Sequence, residues 1–463
     1  MNRSQIEDVW PLSPLQHGLL FHALLDERDV YAAQVVLDVE GTVDADALRK
    51  AGQDLLRRHP NLRAAFPHDR LKKPVQVVPR SVELPFREVT AADEAEADRI
   101  ADADRVAPFD LTRPPLIRLT LVRIGPDRAR IVLTNHHILF DGWSTPILVV
   151  ELLTRYAGAQ PPAATPYKQY LAWLKRQDHE AATRAWTAAL DGIEEPTLLL
   201  PEAAGLAAVL PSAVSEELPE ESAARLRRRA RAQGVTLNTL VQAAWGLLLA
   251  RLTGRSDVVF GQVVSGRPPE LPGIEQMVGL FVNTVPVRLR VRADETLAEL
   301  LTRLQAEQAA LLGHRHLGLA EITGLVGGGA VAGSALFDTL TVFENYPFDP
   351  SAMGEPVAGL RLTGAAQRDA THYPLTLYVV PGDRLTLRLD HRPDVVDEDA
   401  AATLLARFSK LLHAMAETPD VPVGAVDLLL PGERRRVLEE WNDTARPVPA
   451  VTLADLFEAQ AAR

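Results

Sequence analysis

The sequence contains no cysteine. That excludes a disulfide framework, a thiolate metal cluster and a cysteine nucleophile, and it suits a reducing cytoplasm, where we expect the chain to reside. No apolar run reaches the roughly 18 uncharged residues needed to span a bilayer. The opening MNRSQIEDVWPLSPLQHGLLFHALLDERD also lacks the continuous apolar core and small-residue cleavage site of a secretory signal. Positive charge is in deficit: 49 Lys and Arg against 61 Asp and Glu leave a net charge of −12. Such a field repels phosphate backbones and anionic lipid, so neither nucleic acid nor membrane is an expected partner. With 47% hydrophobic and 24% charged residues, the chain has the material for sizeable cores.

Its 463 residues exceed a single small fold. AAQVVLDVEG (32–41) reads as a strand. Asp44 is placed to N-cap a helix with Leu48, Ala51, Leu55 and Leu56 on one face. PLIRLTLVRIG and ARIVLTNHHIL, separated by Gly125, Pro126 and Asp127, predict an antiparallel pair, and PILVVELLTRYAG a buried helix after it. GAQPPAAT (158–165) reads as a linker, which sets the main boundary: one lobe over 1–165, a second over 166–430. The second repeats the grammar of the first, with the helix TLNTLVQAAWGLLLARLTG, the strands DVVFGQVVSG, LFDTLTVFENYP and LTLRLDHRP, and a flexible loop at Gly327–Gly329. Residues 431–463 carry short helical starts and a Pro-rich stretch without a core of their own, as if a neighbour began there.

The densest chemistry lies in Asn135-His136-His137-Ile138-Leu139-Phe140-Asp141-Gly142-Trp143-Ser144, at a strand end opening onto a turn and a helix. Side chains alternate across a strand, so His136 and His137 point oppositely: one imidazole is catalytic, the other structural. A neutral histidine accepts a proton at physiological pH, a role for His137. Gly142 permits close backbone approach and an N–H toward a developing oxyanion. Taken alone, an adjacent histidine pair more often makes two core or surface imidazoles. No third ligand converges on it for a metal, and Ser144 lacks a G-x-S-x-G elbow.

These residues match HHxxxDG, and here the chain resembles the condensation domains of nonribosomal peptide synthetases. WPLSPLQHGLLFH, RHPNLRAAF, NHHILFDGWS, YKQYLAWLKRQ, VGLFVNTVPVR, HRHLGLAEI, LFDTLTVFENYP and RDATHYPL follow one another as the family's motifs do, covering about residues 7–430. The resemblance implies an α+β fold of two chloramphenicol-acetyltransferase-like lobes in a pseudo-dimeric V with a central tunnel. It implies His137 and Gly142 at the reacting centre, His136 structural, and Asp141 in a structural ion pair with Arg267 of VVSGRPPELPG. Trp143, Ser144, Asn283 and His372 are candidates for tunnel lining, although core packing and helix capping are the simpler roles for Trp143 and Ser144; His314, His316 and His372 read more simply as packing or surface residues, and Arg63 as a helix-end salt bridge.

The implied reaction joins two carrier-borne acyl groups: the amine of an acceptor aminoacyl thioester attacks a donor thioester carbonyl, with His137 removing a proton or hydrogen-bonding the amine. The domain itself binds no cofactor. Its substrates arrive on the phosphopantetheine arms of upstream donor and downstream acceptor carrier proteins, and the tail WNDTARPVPAVTLADLFEAQAAR resembles the start of an adjacent adenylation domain in cis. That tail and the ENYP segment favour condensation over epimerization. The paired histidines disfavour cyclization, and the intact motif disfavours a silent carrier-docking module. The wording LSPLQHGLLFH and HHILFDGWS leans toward domains taking a D-configured donor.

Overall fold

The computed structural model describes residues 3–25, 30–68, 73–326, 335–344, 356–447 and 450–463. Gly327–Gly329 and the Asn345–Pro347 part of ENYP lie outside them.

The first half runs β1 (Ile6–Pro11), α1 (Pro14–Leu25), β2 (Ala32–Glu40), α2 (Ala45–Arg58), β3 (Val75–Pro79), β4 (Phe86–Thr90), α3 (Glu94–Val106), β5 (Ile117–Arg123), β6 (Arg128–His136) and α4 (Ser144–Tyr156). Helix α2 forms where its pattern predicts. The Asp44 carboxylate accepts from the Asp46 and Ala47 amides at 3.0 Å each, filling two of the orphan donors at the helix start. Leu48, Ala51, Leu55 and Leu56 are buried, and Arg57 and Arg58 occupy the last turn, where cations complement the helix dipole. The pair β5–β6 is antiparallel, Ile117 opposite Asn135, and β6 is buried from Ala129 to His136.

The second half runs α5 (Lys168–Leu174), α6 (His179–Leu190), β7 (Ser212–Leu218), α7 (Glu220–Gln233), α8 (Leu237–Thr253), β8 (Asp257–Val264), β9 (Asn283–Arg290), α9 (Leu297–Ala310), α10 (Leu319–Gly324), β10 (Thr339–Phe343), β11 (Arg361–Arg368), β12 (Leu375–Pro381), β13 (Leu385–His391), α11 (Glu398–Glu417), α12 (Pro431–Arg435) and α13 (Leu453–Ala461). Helix α8 is apolar nearly all round and every residue from Thr239 to Ala250 is buried, the signature of a central helix. No single helix among the described residues is long and apolar enough to cross a membrane.

Two main sheets organise these elements into the two lobes of an α+β fold. One has the order β11-β2-β6-β5-β4, the other β7-β13-β12-β10-β8-β9. The lobes are not sealed units in chain order. After β10 the chain leaves the second sheet, lays β11 antiparallel on β2 with Arg361 opposite Glu40 and Arg368 opposite Gln34, and returns to β12. The first core likewise takes Tyr167, Tyr170, Leu280 and Phe281 from beyond residue 165. Described residues from Pro431 onward are all at least partly exposed, including Leu453 and Phe457 on α13.

The β2–β11 junction depends on Gly41. Its φ is +114°, its N–H donates to Asp127 O at 2.8 Å, and a Cβ there would lie 2.3 Å from the Gly359 carbonyl oxygen. Gly41→Ala should therefore cost roughly 1 to 3 kcal/mol in denaturant unfolding. Amide exchange should accelerate over 361–368 more than in β12 and β13.

Candidate active site

The His-His segment is where β6 runs out. The His136 amide still pairs with Leu116 O at 2.9 Å, and the next amide, of His137, donates to Tyr31 O at 2.8 Å. His136 is fully buried and its Nδ1 accepts from the Ile138 amide at 3.0 Å, closing the turn onto itself. From α1, the buried Gln16 side chain donates to Ile138 O at 3.0 Å and exchanges hydrogen bonds with Gln76. His137 points the other way, into a cavity of about 1700 Å³ with walls from both lobes.

His137 Nδ1 lies 3.1 Å from Phe140 O. A carbonyl oxygen only accepts, so Nδ1 carries the proton and the lone pair is left on Nε2. Gly142 lines the same cavity. In the neutral imidazole this wall therefore offers the Nε2 lone pair beside a glycine backbone.

Asp141 faces inward and is 1% exposed. Its Oδ1 accepts from the Ser144 amide at 3.0 Å, the Ser144 hydroxyl at 2.9 Å and Arg267 Nη2 at 3.2 Å, while Oδ2 accepts from the Phe281 amide at 2.9 Å. Arg267, 5% exposed, also donates to Ile274 O, Met277 O and the Ser144 hydroxyl, and its guanidinium lies 4.0 Å over the Phe281 ring. Burial lowers the Arg267 pKa and the Asp141 charge opposes that shift. Close approach of the two segments requires Gly279, whose carbonyl accepts from the Asp141 amide at 3.1 Å and whose Cβ, if present, would sit 2.2 Å from the Tyr167 ring.

The remaining sequence candidates separate. Asn283, at the start of β9, reaches the cavity wall and is anchored by Nδ2 to Arg315 O and Leu317 O at 2.9 and 2.6 Å. His372 is on the wall, with Nδ1 2.5 Å from the Tyr31 hydroxyl. His316 is also on the wall, and burial lowers its pKa. His314 is not; its carbonyl accepts from Trp186 Nε1.

Trp143 and Ser144, expected as tunnel lining, stand off the wall. Ser144 spends its hydroxyl on Asp141, Arg267 and Gly279, and the Trp143 indole donates to Glu275 O with its ring over Arg267. Arg63 is buried, donating to the α2 carbonyls of Leu56 and Arg57 and pairing with Glu7 at 2.6 Å.

Sequence reasoning did not single out His22, Tyr31 or Glu344, although His22 and Glu344 stand inside the quoted segments WPLSPLQHGLLFH and LFDTLTVFENYP. Glu344 follows β10 and lines the cavity; burial, then the Asp369 charge, push its carboxyl up to about 7, with Arg388 opposing and Asp390 adding. No group of three or more His, Asp or Glu among the described residues is arranged to hold a metal ion.

Comparison with known proteins agrees with this architecture. The family model "Condensation domain" matches residues 6–438. Chondramide synthase cmdD from Chondromyces crocatus is 36% identical over 506 residues, covering 96% of this chain and 13% of that protein. Bacitracin synthase 3 from Bacillus licheniformis is 33% identical over 475 residues, covering 99% of this chain and 7% of that protein. The chain thus spans only a small fraction of these relatives. Among solved structures, the first condensation domain of the calcium-dependent antibiotic synthetase, in complex with a substrate analogue, superposes with a TM-score of 0.74 at 23% identity, covering 92% of this chain and all of that one. The X-domain in its complex with OxyB from teicoplanin biosynthesis gives 0.77 at 23%, covering 93% and 97%.

Two measurements follow from the site's electrostatics. Asp141→Ala or Arg267→Ala should each lose about 3 to 5 kcal/mol in unfolding free energy by stranding a buried charge, and the double variant less than their sum; additive losses would contradict the pair. Glu344 has the opposite sign from a salt-bridged acid. Its folded pKa lies above the unfolded one, so stability is lost as pH rises from about 4.5 through about 7. Glu344→Gln should accordingly match wild type in urea melts near pH 4.5 and gain on the order of 2 to 3 kcal/mol by pH 8.

Proposed function

The chain belongs to the condensation-domain family of nonribosomal peptide synthetases, whose members are amide-forming acyltransferases, and from that premise we propose that it joins two carrier-borne acyl groups at His137. The amine of an acceptor aminoacyl thioester attacks the carbonyl carbon of a donor acyl or peptidyl thioester. A C–N bond forms, the C–S bond breaks, nitrogen gives up a proton and the departing sulfur leaves as thiol.

The observation that carries this reading is the His137 ring held with its lone pair on Nε2 in a cavity walled by both lobes. An α-amine titrates near 7.7 to 8.0, so a substantial neutral fraction exists without a strong base. What the site supplies is position: oriented reactants gain several kcal/mol over a dilute encounter. His137 Nε2 accepts the hydrogen bond of the attacking amine and takes its proton as the tetrahedral species forms. The Gly142 N–H faces the oxyanion, and His136, Asp141 and Arg267 hold the turn.

The substrates come on phosphopantetheine arms of upstream donor and downstream acceptor carriers docking at opposite mouths of the tunnel. Residues 1–165 and 166–430 supply the two lobes, apart from β11 and the segments of the second stretch that pack into the first core, and 431–463 lead into an adenylation domain in cis. The unburied apolar residues of α13 support that last assignment, because a lone domain gains nothing by exposing them.

Mixing the domain with donor carriers loaded with D- or L-residues and a loaded acceptor carrier, and reading products by mass spectrometry, should give an amide on the acceptor. Folded His137→Ala should lose about 100-fold or more in rate while still binding both carriers. Near-normal turnover of that variant would remove His137 from the chemistry.

A further inference from the structure

Behind the catalytic histidine stands a second polar cluster that the proposed chemistry leaves unused. Tyr31 supplies the carbonyl that receives the His137 amide, and its hydroxyl lies 2.5 Å from His372 Nδ1. The His372 ring stacks on that of His22 at 3.8 Å between centroids and 25° between planes. His22 comes from α1, and His372 from the segment that returns the chain from β11 to β12. All three side chains line the cavity that holds His137.

The proton positions follow from acidity. A phenol, titrating near 10, is a much stronger hydrogen-bond donor than the N–H of a neutral imidazole, and the imidazole lone pair is the better acceptor. Tyr31 therefore donates to Nδ1, which puts the His372 proton on Nε2. Among the described residues no protein acceptor is recorded for that N–H. Burial and the neighbouring His22 hold His372 well below the ordinary histidine range, and burial lowers His22 as well, so the stack presents a dipole and no charge. A neutral, oriented donor in a largely apolar cavity suits a neutral acceptor: a carbonyl oxygen.

We propose that His372 is a positioning residue whose Nε2–H, oriented by Tyr31 and braced by His22, holds an amide carbonyl oxygen of the carrier-borne chain alongside His137. This rests on the acyl-transfer reading above and adds a recognition point to it. The carbonyl belongs either to the acyl chain or to the pantetheine arm, and the two are separable with probes.

The test uses the full chain with ¹⁵N-labelled histidine, the His372 signals assigned by their loss in His372→Gln. Wild type should show the Nε2–H tautomer, and Tyr31→Phe should shift the population toward Nδ1–H. Affinity for acyl-pantetheine thioesters should fall about 3- to 10-fold in His372→Leu, the effect of one neutral hydrogen bond, and recover in His372→Gln, whose amide N–H replaces the donor. A dipeptidyl probe that loses affinity where pantetheine alone does not assigns the carbonyl to the acyl chain; equal losses assign it to the arm. An Nδ1–H tautomer in wild type, or His372→Gln binding as weakly as His372→Leu, would overturn the proposal. Neither readout needs turnover, so absence of amide synthesis would refute the function proposed above while these measurements still decide the role of His372.

Discussion

The contact between Asp141 and Arg267 is the constraint on which the site's geometry rests. Two charges this deeply buried are tolerable only if most of their remaining hydrogen-bonding capacity is also filled. The Asp141 carboxylate receives the Ser144 and Phe281 amides and the Ser144 hydroxyl, and Arg267 gives its other Nη donors to Ile274 O, Met277 O and the Ser144 hydroxyl, leaving only Nε–H without a partner among the described residues. The pair thereby ties three stretches together: the turn after β6, the start of α4, and the segment that leads into β9. Because His137 is four residues before Asp141 and Asn283 two after Phe281, one electrostatic knot sets the parts of the cavity wall that carry His137 and Asn283.

Around that knot hydrogen bonds and burial orient the histidines of a largely apolar cavity, whose wall also carries Lys175, Glu321, Glu344 and Asp369. In its neutral form His137 is held by a backbone carbonyl in the tautomer that leaves the lone pair on Nε2, and in the proposed arrangement His372 is held by a phenol in the tautomer that leaves the proton on Nε2. Desolvation keeps His22, His316 and His372 toward the neutral form. Neutral imidazoles suit the proposed reaction, in which a cationic amine would be a poor nucleophile and a thioester carbonyl needs dipoles more than ions. Among the ionisable residues on the wall, Glu344 is a carboxyl whose burial beside Asp369 brings its titration close to neutrality.

Local elements were readable to the extent that their causes are local. Asp44 caps α2 because its carboxylate reaches amides two and three residues away, and the α2 core face follows from helical period alone. The alternation that sends His136 inward and His137 into the cavity is likewise a property of a strand end. By contrast, β11 reads as an ordinary connecting segment, since its partner β2 lies more than 300 residues earlier and no pattern within RLTGAAQR names it. Adjacency to the motif makes Trp143 and Ser144 candidates for the cavity wall, while the Asp141 carboxylate and the Arg267 side chain turn Ser144 into the interior, nearer to the packing and capping roles the sequence also allows.

The sequence by itself determined the secondary structure around the motif, the pairing of β5 with β6 and, through motif order, the family. Each of these is encoded by period, capping or the order of short segments, which survive without knowledge of distant partners. Tertiary structure alone decided how β11 crosses between the sheets, and that His22, Tyr31 and His372 meet on one cavity wall with His137. Those outcomes depend on hydrogen bonds and ring contacts between residues hundreds of positions apart, whose angles and distances exist only once both lobes have packed.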